Sequence, residues 1–467
     1  MNEKLLAALD EISDRHIVHA ANPQRLRPRL HLRTAAAVLA VVMLLVLIGP
    51  QLLPASASEL VSPAVYTPMP FPDFDDHEDI EANIAAAEQY LAWEDARAAV
   101  LEQAHESLRP FWADSFRLFL TPEENTVWSP INTYISLAML AQTASGSTRQ
   151  EILDALGAAS IETLRSEVKI LWETVDLDRE DSKRHLANSL WLDQDLRYRL
   201  KNLKVLGTDY YASVHRTELE DSAAELHAWI NSQTGGLLEE RPPDSTPDDP
   251  LAQQVLTLAS TAFVMDSWEE PFKPGANTEG VFHTPDADVR CTFMNGTKKR
   301  TRYHRGSDFT TVGLSTNRGC VLWLVLPDED SSVAAVLEQG EYLDGVLAKA
   351  DTVPRKCIVS MPKFDVTSSL DLSSGLRSLG IHEVFSPLGG DFSETLTLSS
   401  PIYADKVTQS ARITVDETGL QAASATDTLI ITKGGETDPI TFTLDRPFLF
   451  VLTCQDIPLF AGTVTNP

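Results

Sequence analysis

The sequence predicts an α+β domain with large, mostly antiparallel β-sheets, set behind a distinct N-terminal region. Three observations carry that prediction. From about Leu108 onward, helical and strand-like patterns alternate irregularly. The strand-like runs are short, rich in β-branched or aromatic residues and bounded by turn residues. Regular helices do not space them, so a doubly wound parallel sheet does not follow. Helical spacing marks 111–120, 132–143, 148–155 (after a Ser147 cap) and 223–234. Strands are expected at 256–265 (LTLASTAFVM), 320–327 (CVLWLVLP) and 356–364 (KCIVSMPKF). No internal repeat is visible.

Composition narrows the function classes. The 467 residues are 43% hydrophobic and 22% charged, which are globular values. Lys and Arg number 38 against 67 Asp and Glu, a net charge of −29. A surface that acidic repels phosphate, so no nucleic-acid partner is expected. Cys291, Cys320, Cys357 and Cys454 show no CxxC spacing. They are expected as small buried hydrophobes rather than as a zinc site or a disulfide-built scaffold. There is no GxSxG, HExxH, GxGxxG or GxxxxGK[ST] motif, and no His stands beside a plausible nucleophile. An enzyme is not expected, nor a cofactor or metal.

The N-terminal region reads as a membrane anchor. Residues 34–53 are nearly all apolar and approach the ~20 residues that cross a bilayer. Arg25, Arg27, Arg29 and Arg33 precede them, and Asp73, Asp75, Asp76, Glu78 and Asp79 follow. The positive-inside rule then keeps 1–33 cytoplasmic and places the rest outside the cytoplasm. Ala55-Ser56-Ala57 has the form of a signal-peptide cleavage site, so a secreted chain is the alternative. The long polar lead, which opens with the amphipathic MNEKLLAALDEI, favours the anchor. Residues 54–82 hold Pro54, Pro63, Pro68, Pro70 and Pro72 among Ser and acidic residues and read as a solvated linker. The Ala-, Glu- and Leu-rich 83–107 read as a helical stalk or extension, with the globular domain at 108–467.

One loop is anomalous. Between strand patterns ending near 418 and resuming near 440 lie more than twenty residues, and a structureless loop of that length is usually functional. Its first half is not loop-like. From Leu420 to Thr432 there is neither Pro nor Gly. In an extended strand Leu420, Ala422, Ser424, Thr426, Thr428 and Ile430 share one side, and Asp427 lies on the other. The segment can therefore become a buried strand, or stay a surface loop rich in Ala and Thr.

Several motifs in order carry a family resemblance: FTLDRPFLFVL at 442–452, WSPINTYISLAMLAQTASGSTRQEILDAL at 128–156, INSQTGGLL at 230–238 and TAFVMDSWEEPF at 261–272. MPKF at 361–364, LGI at 379–381, DFS at 391–393 and the terminal GTVTNP fit the same series. From about Phe111 to Pro467 the chain resembles the serpins, and it is similar to a membrane-anchored, bacterial-type member. The resemblance implies the serpin fold with an exposed reactive-centre loop. It implies an inhibitor of serine proteases, or of cysteine proteases of similar specificity, that acts as a monomeric suicide substrate. Cleavage of the loop lets it insert into the main sheet and trap the acyl-enzyme. The alternative is a non-inhibitory binding or sensor module on the cell surface.

The same resemblance distributes roles. Glu417, Gly419, Leu420, Ala422, Ala423, Ser424 and Ala425 fall in the hinge, where Leu420 departs from the usual Thr or Ser. Family spacing puts the scissile bond at Lys433-Gly434, a bait for trypsin-like proteases. The run from Gly434 to Arg446 is about three residues longer than usual, and a register slip would move the bait to Ile431 or Ile430. A polar shutter cluster is implied at Ser129, Asn132, Ser260 and Gln409, the last three replacing Ser, Asn and His. Trp268 is the implied breach residue at the top of the sheet.

Overall fold

The computed structural model describes 58–69, 80–179, 182–218, 223–236, 256–347, 353–387, 389–397, 402–404, 407–420 and 438–467. The expected cytoplasmic segment, the apolar stretch 34–53, hinge residues Ala422, Ala423, Ser424 and Ala425, and the Lys433-Gly434 bond lie outside these residues. Among the described residues no helix is long and apolar enough to cross a membrane.

The described residues divide into two compact units, one within 65–103 and one holding 58–64 with 104–467. A forty-residue helix, α1 (Ile80–Phe119), begins in the first and ends in the second. It joins the expected stalk and the expected 111–120 helix, with Pro110 inside it. In the first unit the Arg97 guanidinium lies 4.9 Å over the Trp93 ring and 5.6 Å from the Tyr66 ring centre, a cation–π arrangement.

The second unit is built on two large sheets. The eight-stranded sheet runs in spatial order β1 (Ser58–Val61), β6 (Ala212–Thr217), β4 (Lys183–Asp193), β7 (Leu256–Ser267), β16 (Gly419–Leu420), β15 (Thr408–Val415) and β13 (Phe364–Asp371), with β3 (Leu177–Asp178) on β4. Only β4 and β6 are parallel neighbours in it. The nine-stranded sheet runs β17 (Ile440–Thr443), β12 (Val353–Pro362), β9 (Asp288–Arg305), β10 (Phe309–Ser315), β11 (Cys320–Pro327), β18 (Phe448–Cys454), β19 (Ile457–Val464) and β2 (Thr126–Trp128), with β8 (Thr278–His283) on β9. β5 (Arg197–Tyr198) and β14 (Leu396–Thr397) form a small third sheet. The strands expected at 256–265, 320–327 and 356–364 appear as β7, β11 and β12.

The core sits where the apolar runs are unbroken. β11, β18 and β19 are buried at every residue, which explains why their sequences do not alternate. α2 (Pro130–Thr143) is buried on all sides except at Ser136 and is correspondingly apolar all round. Pro130 at its first position loses no helical hydrogen bond there. The remaining helices are α3 (Gly146–Ala155), α4 (Ile161–Val175), α5 (Leu200–Asp209), α6 (Ala223–Gln233), α7 (Val333–Gln339), α8 (Tyr342–Leu347) and α9 (Ser373–Ser378).

The structure corrects two sequence expectations. Residues Ser58–Val61, expected in a solvated linker, form β1 on the edge of the eight-stranded sheet, paired antiparallel with β6. Their alternation is too short to signal a strand against the prolines around it. Cys320 and Cys454 are not isolated thiols. They stand directly opposite on β11 and β18 and form a disulfide. Register, which sequence spacing does not reveal, brings them together. Cys357 is a buried thiol as expected, while Cys291 is only partly buried. The disulfide closes a separation of 134 residues, so the loop-entropy argument gives a contribution of up to ~5 kcal/mol. Reduction is expected to lower the Tm measurably, and an unchanged Tm after full reduction, verified by mass, would contradict this.

Candidate functional site

β7 and β15 are neighbours without being partners. β7 pairs with β4 from Lys183↔Met265 to Leu192↔Leu256, and β15 pairs with β13 from Asp371↔Thr408 to Phe364↔Val415. Among the described residues, the two of β16 lie between β7 and β15, Leu420 pairing with both strands and Gly419 with β7. Below them the two strand edges face one another across a seam. Its walls include Ala262, Phe263 and Val264 from β7 and Arg412, Ile413 and Thr414 from β15. Strand edges carry backbone donors and acceptors that a further strand can satisfy. Among the described residues, β16 alone occupies this gap.

The upper end of the seam is tightly specified. Leu420 pairs with Val415 on one side and Asp266 on the other, and its side chain is only 2% exposed. Gly419 pairs with Ser267 at φ +157°. A Cβ there would sit 2.2 Å from the Asp266 carbonyl oxygen, so no other residue fits. The turn before it is closed by Asp416, whose Oδ1 accepts from the Thr418 amide at 2.7 Å and the Gly419 amide at 3.2 Å. Trp268 covers this turn. Its Nε1 donates to the Asp416 carbonyl at 2.8 Å and its amide to the Thr418 carbonyl at 3.0 Å, and the side chain is fully buried.

Glu417 ties the hinge to three segments that connect neighbouring elements. Its carboxylate meets Lys363 Nζ at 2.6 Å and accepts from Asn277 Nδ2, while its carbonyl accepts the Phe272 amide at 3.0 Å. Burial pushes the Glu417 carboxyl up, but Lys363 and Asn277 outweigh it and hold it below the usual range. Asp266 behaves oppositely. It is buried on β7 beside Leu420, and burial raises its carboxyl although Thr316 and Arg184 pull it down.

The lower end is organised by Gln409. Its Oε1 accepts the Ser129 amide at 2.7 Å, and its Nε2 donates to the Ser129 carbonyl at 3.0 Å and Thr133 Oγ1 at 3.1 Å. Ser129 Oγ in turn donates to the Leu459 carbonyl at 2.7 Å. One amide side chain thus clamps β15 to the start of α2, using both its donor and its acceptor. Asn132 lines the seam close by, its Oδ1 buried without a hydrogen-bond partner. Ser260 does not join this group. It donates to Asn188 Oδ1 at 2.8 Å on the neighbouring strand β4, and Asn188 Nδ2 donates to the Tyr210 carbonyl at 3.1 Å.

Of the residues singled out from sequence, the structure brings together Ser129 and Gln409, and separately Glu417, Gly419, Leu420 and Trp268. Ser260 has a different partner from the one expected. Asn188, Thr133, Lys363 and Asn277 were missed. Asn188, set beside Ser189 within the apolar middle of β4, was the one legible signal among them.

Gln409 does not titrate, so the β15–α2 clamp holds alike from pH 5 to 7. Gln409→His is expected to make seam opening pH-dependent in that window, because imidazole charges there. Hydrogen exchange at 408–415 reads this directly, and an unchanged pH profile in the variant would reject it.

Comparison with known proteins fits this architecture. The family model for Serpin (serine protease inhibitor) matches residues 113–467. Serpin-ZX of Arabidopsis thaliana is 27% identical over 375 residues, covering 74% of this chain and 93% of that protein. Alpha-1-antiproteinase S of Cavia porcellus is 28% identical over 390 residues, covering 80% of this chain and 93% of that one. The crystal structure of the thermophilic serpin tengpin in the native state superposes with a TM-score of 0.70 at 24% identity, covering 78% and 95% of the two chains. The chain belongs to the serpin family, whose members are generally serine protease inhibitors. The strand β1 lies outside the matched residues.

Proposed function

We propose that this serpin is a suicide-substrate inhibitor whose cleaved loop inserts between β7 and β15. The observation that carries the reading is the seating of Gly419 and Leu420 between those strands at one end of the seam. Extending that register sets residues 421–427 against Thr414 down to Thr408 on β15. On β7 the same extension reaches Leu256 at residue 430. Ala422, Ser424 and Thr426 then share the buried face of Leu420, and Ala423, Ala425 and Asp427 face away. Small residues fill the buried side without overpacking, and each backbone hydrogen bond contributes ~1 kcal/mol.

The bait is Lys433-Gly434, and the target a trypsin-like serine protease or a cysteine protease of like specificity. A bait at Ile431 or Ile430 would redirect it to elastase- or subtilisin-like enzymes. The inhibitor is a monomer, anchored by 34–53 with the serpin domain outside the cytoplasm. The test is an SDS gel after mixing the full chain with trypsin. A denaturation-resistant complex with an acyl bond at Lys433 is the expected result. Clean cleavage with full residual protease activity would overturn it.

Leu420 motivates a second reading. A bulky residue already buried in the seam leaves one fewer residue to insert after cleavage, which favours a module that changes shape without trapping. The same gel separates the two.

A further inference from the structure

Net acidity hides a local exception. In the stretch 194–208, Arg197, Arg199, Lys201 and Lys204 stand against the single acid Asp195, in a chain of net charge −29. All four cations are exposed, and none forms an ion pair among the described residues. Two nearby acids are engaged elsewhere: Glu394 with Arg149 at 2.7 Å and Asp209 with Arg165 at 3.6 Å.

Helix stability does not explain the placement. Arg199 is the N-cap of α5 without a side-chain cap bond, and the first turn holds no acid. Cations at that end oppose the helix dipole, where anions are favoured. The charges and the dipole add, so the start of α5 is a site of net positive potential against the single acid Asp195.

Its position supplies the partner. α5 packs directly on β1: the Ala64 amide donates to the Gly207 carbonyl at 2.8 Å, and a Cβ on Gly207 would meet Val61 at 2.6 Å. β1 begins at Ser58, five residues after Leu53 ends the apolar stretch. Five residues span at most about 18 Å. Lys204 and Lys201 lie three and six residues before Gly207, about 5 and 9 Å along the helix axis. Val61 and Ala64, which touch α5, lie eight and eleven residues after Leu53, at most about 40 Å of extended chain, so a chain anchored through 34–53 can bring these cations to the lipid headgroups.

We propose that the basic surface formed by Arg197 of β5, the N-cap Arg199 and Lys201 and Lys204 of α5 docks on the anionic phosphate headgroups of the membrane that holds 34–53. The inference rests on the anchor reading above. Docking fixes the edge of the eight-stranded sheet toward the bilayer rather than leaving the domain on a free stalk.

The test uses the full chain reconstituted in vesicles of phosphatidylcholine alone or mixed with phosphatidylglycerol. Hydrogen exchange of the amides in 197–208 is expected to slow by about fivefold or more in the anionic vesicles only, given the attraction of each cation to an anionic surface. K201E/K204E is expected to lose the protection and K201R/K204R to keep it, both with the wild-type Tm. Equal exchange in both lipids, with a chain that resists carbonate extraction, overturns the docking and leaves the anchor standing. Extraction by carbonate overturns the anchor and the docking together. Protection by soluble polyphosphate with none from the anionic bilayer also contradicts the proposal.

Discussion

Replacing Ala422 by arginine is expected to abolish the denaturation-resistant complex with trypsin while leaving cleavage of the loop intact. In the register that continues from β16, position 422 faces Ile413 on β15 and Val264 on β7, both buried. An arginine there must bring an unpaired guanidinium into an apolar seam, at a cost of several kcal/mol. Inhibition of this kind is a race between insertion and deacylation. Every 1.4 kcal/mol added to the insertion barrier slows it about tenfold, so the protease finishes the reaction and leaves. Gln421→Arg is the control. One residue earlier, on the opposite face beside Thr414 and Met265, the charge stays in water, and complex formation is expected to persist. Equal loss in both variants would show that the effect is not insertion into this seam.

Glu417→Lys is expected to be strongly damaging at the described end of the hinge. It removes the partner of Lys363, leaves Asn277 without its acceptor and sets two ammonium groups face to face. Glu417 is 8% exposed, so solvent can repair little of this. Loss of a charged hydrogen-bonding partner at such a position costs ~2 kcal/mol or more. The hinge should also loosen, with faster exchange at Gly419 and Leu420. The charge-swapped pair E417K/K363E is expected to recover part of the loss. The pH dependence has a defined sign. The Glu417 carboxyl is held below its unfolded value, so its contribution is fully present at neutral pH. It is lost as pH falls through the carboxylate range. Urea titrations of wild type and Glu417→Gln should differ at pH 7 and draw together as pH falls through the carboxylate range.

The sequence made some of this legible and hid the rest for physical reasons. β11 and β7 announce themselves because β-branched and apolar residues run unbroken between turn residues. The hinge was legible because Gly419 is followed by strand-competent residues without Pro. Contacts that depend on register were not legible. Nothing in the spacing of Cys320 and Cys454 says that β11 and β18 are neighbours. Lys363 and Glu417 lie more than fifty residues apart. β1 was hidden because four residues carry too little pattern, and its pairing depends on an exposed β6 edge. Ser260 was assigned to the wrong neighbourhood because its strand was known but its cross-strand partner Asn188 was not.

The central claim is that the segment after Gly419 is more stable inside the eight-stranded sheet than outside it, and is kept out until the loop is cut. Thermal unfolding of the intact protein against the same protein nicked in 421–437 tests this most directly. A strand hydrogen-bonded on both sides from 421 to 427 should raise the Tm of the nicked form by about 10 °C or more. A nicked protein that melts at or below the temperature of the intact one would contradict the account.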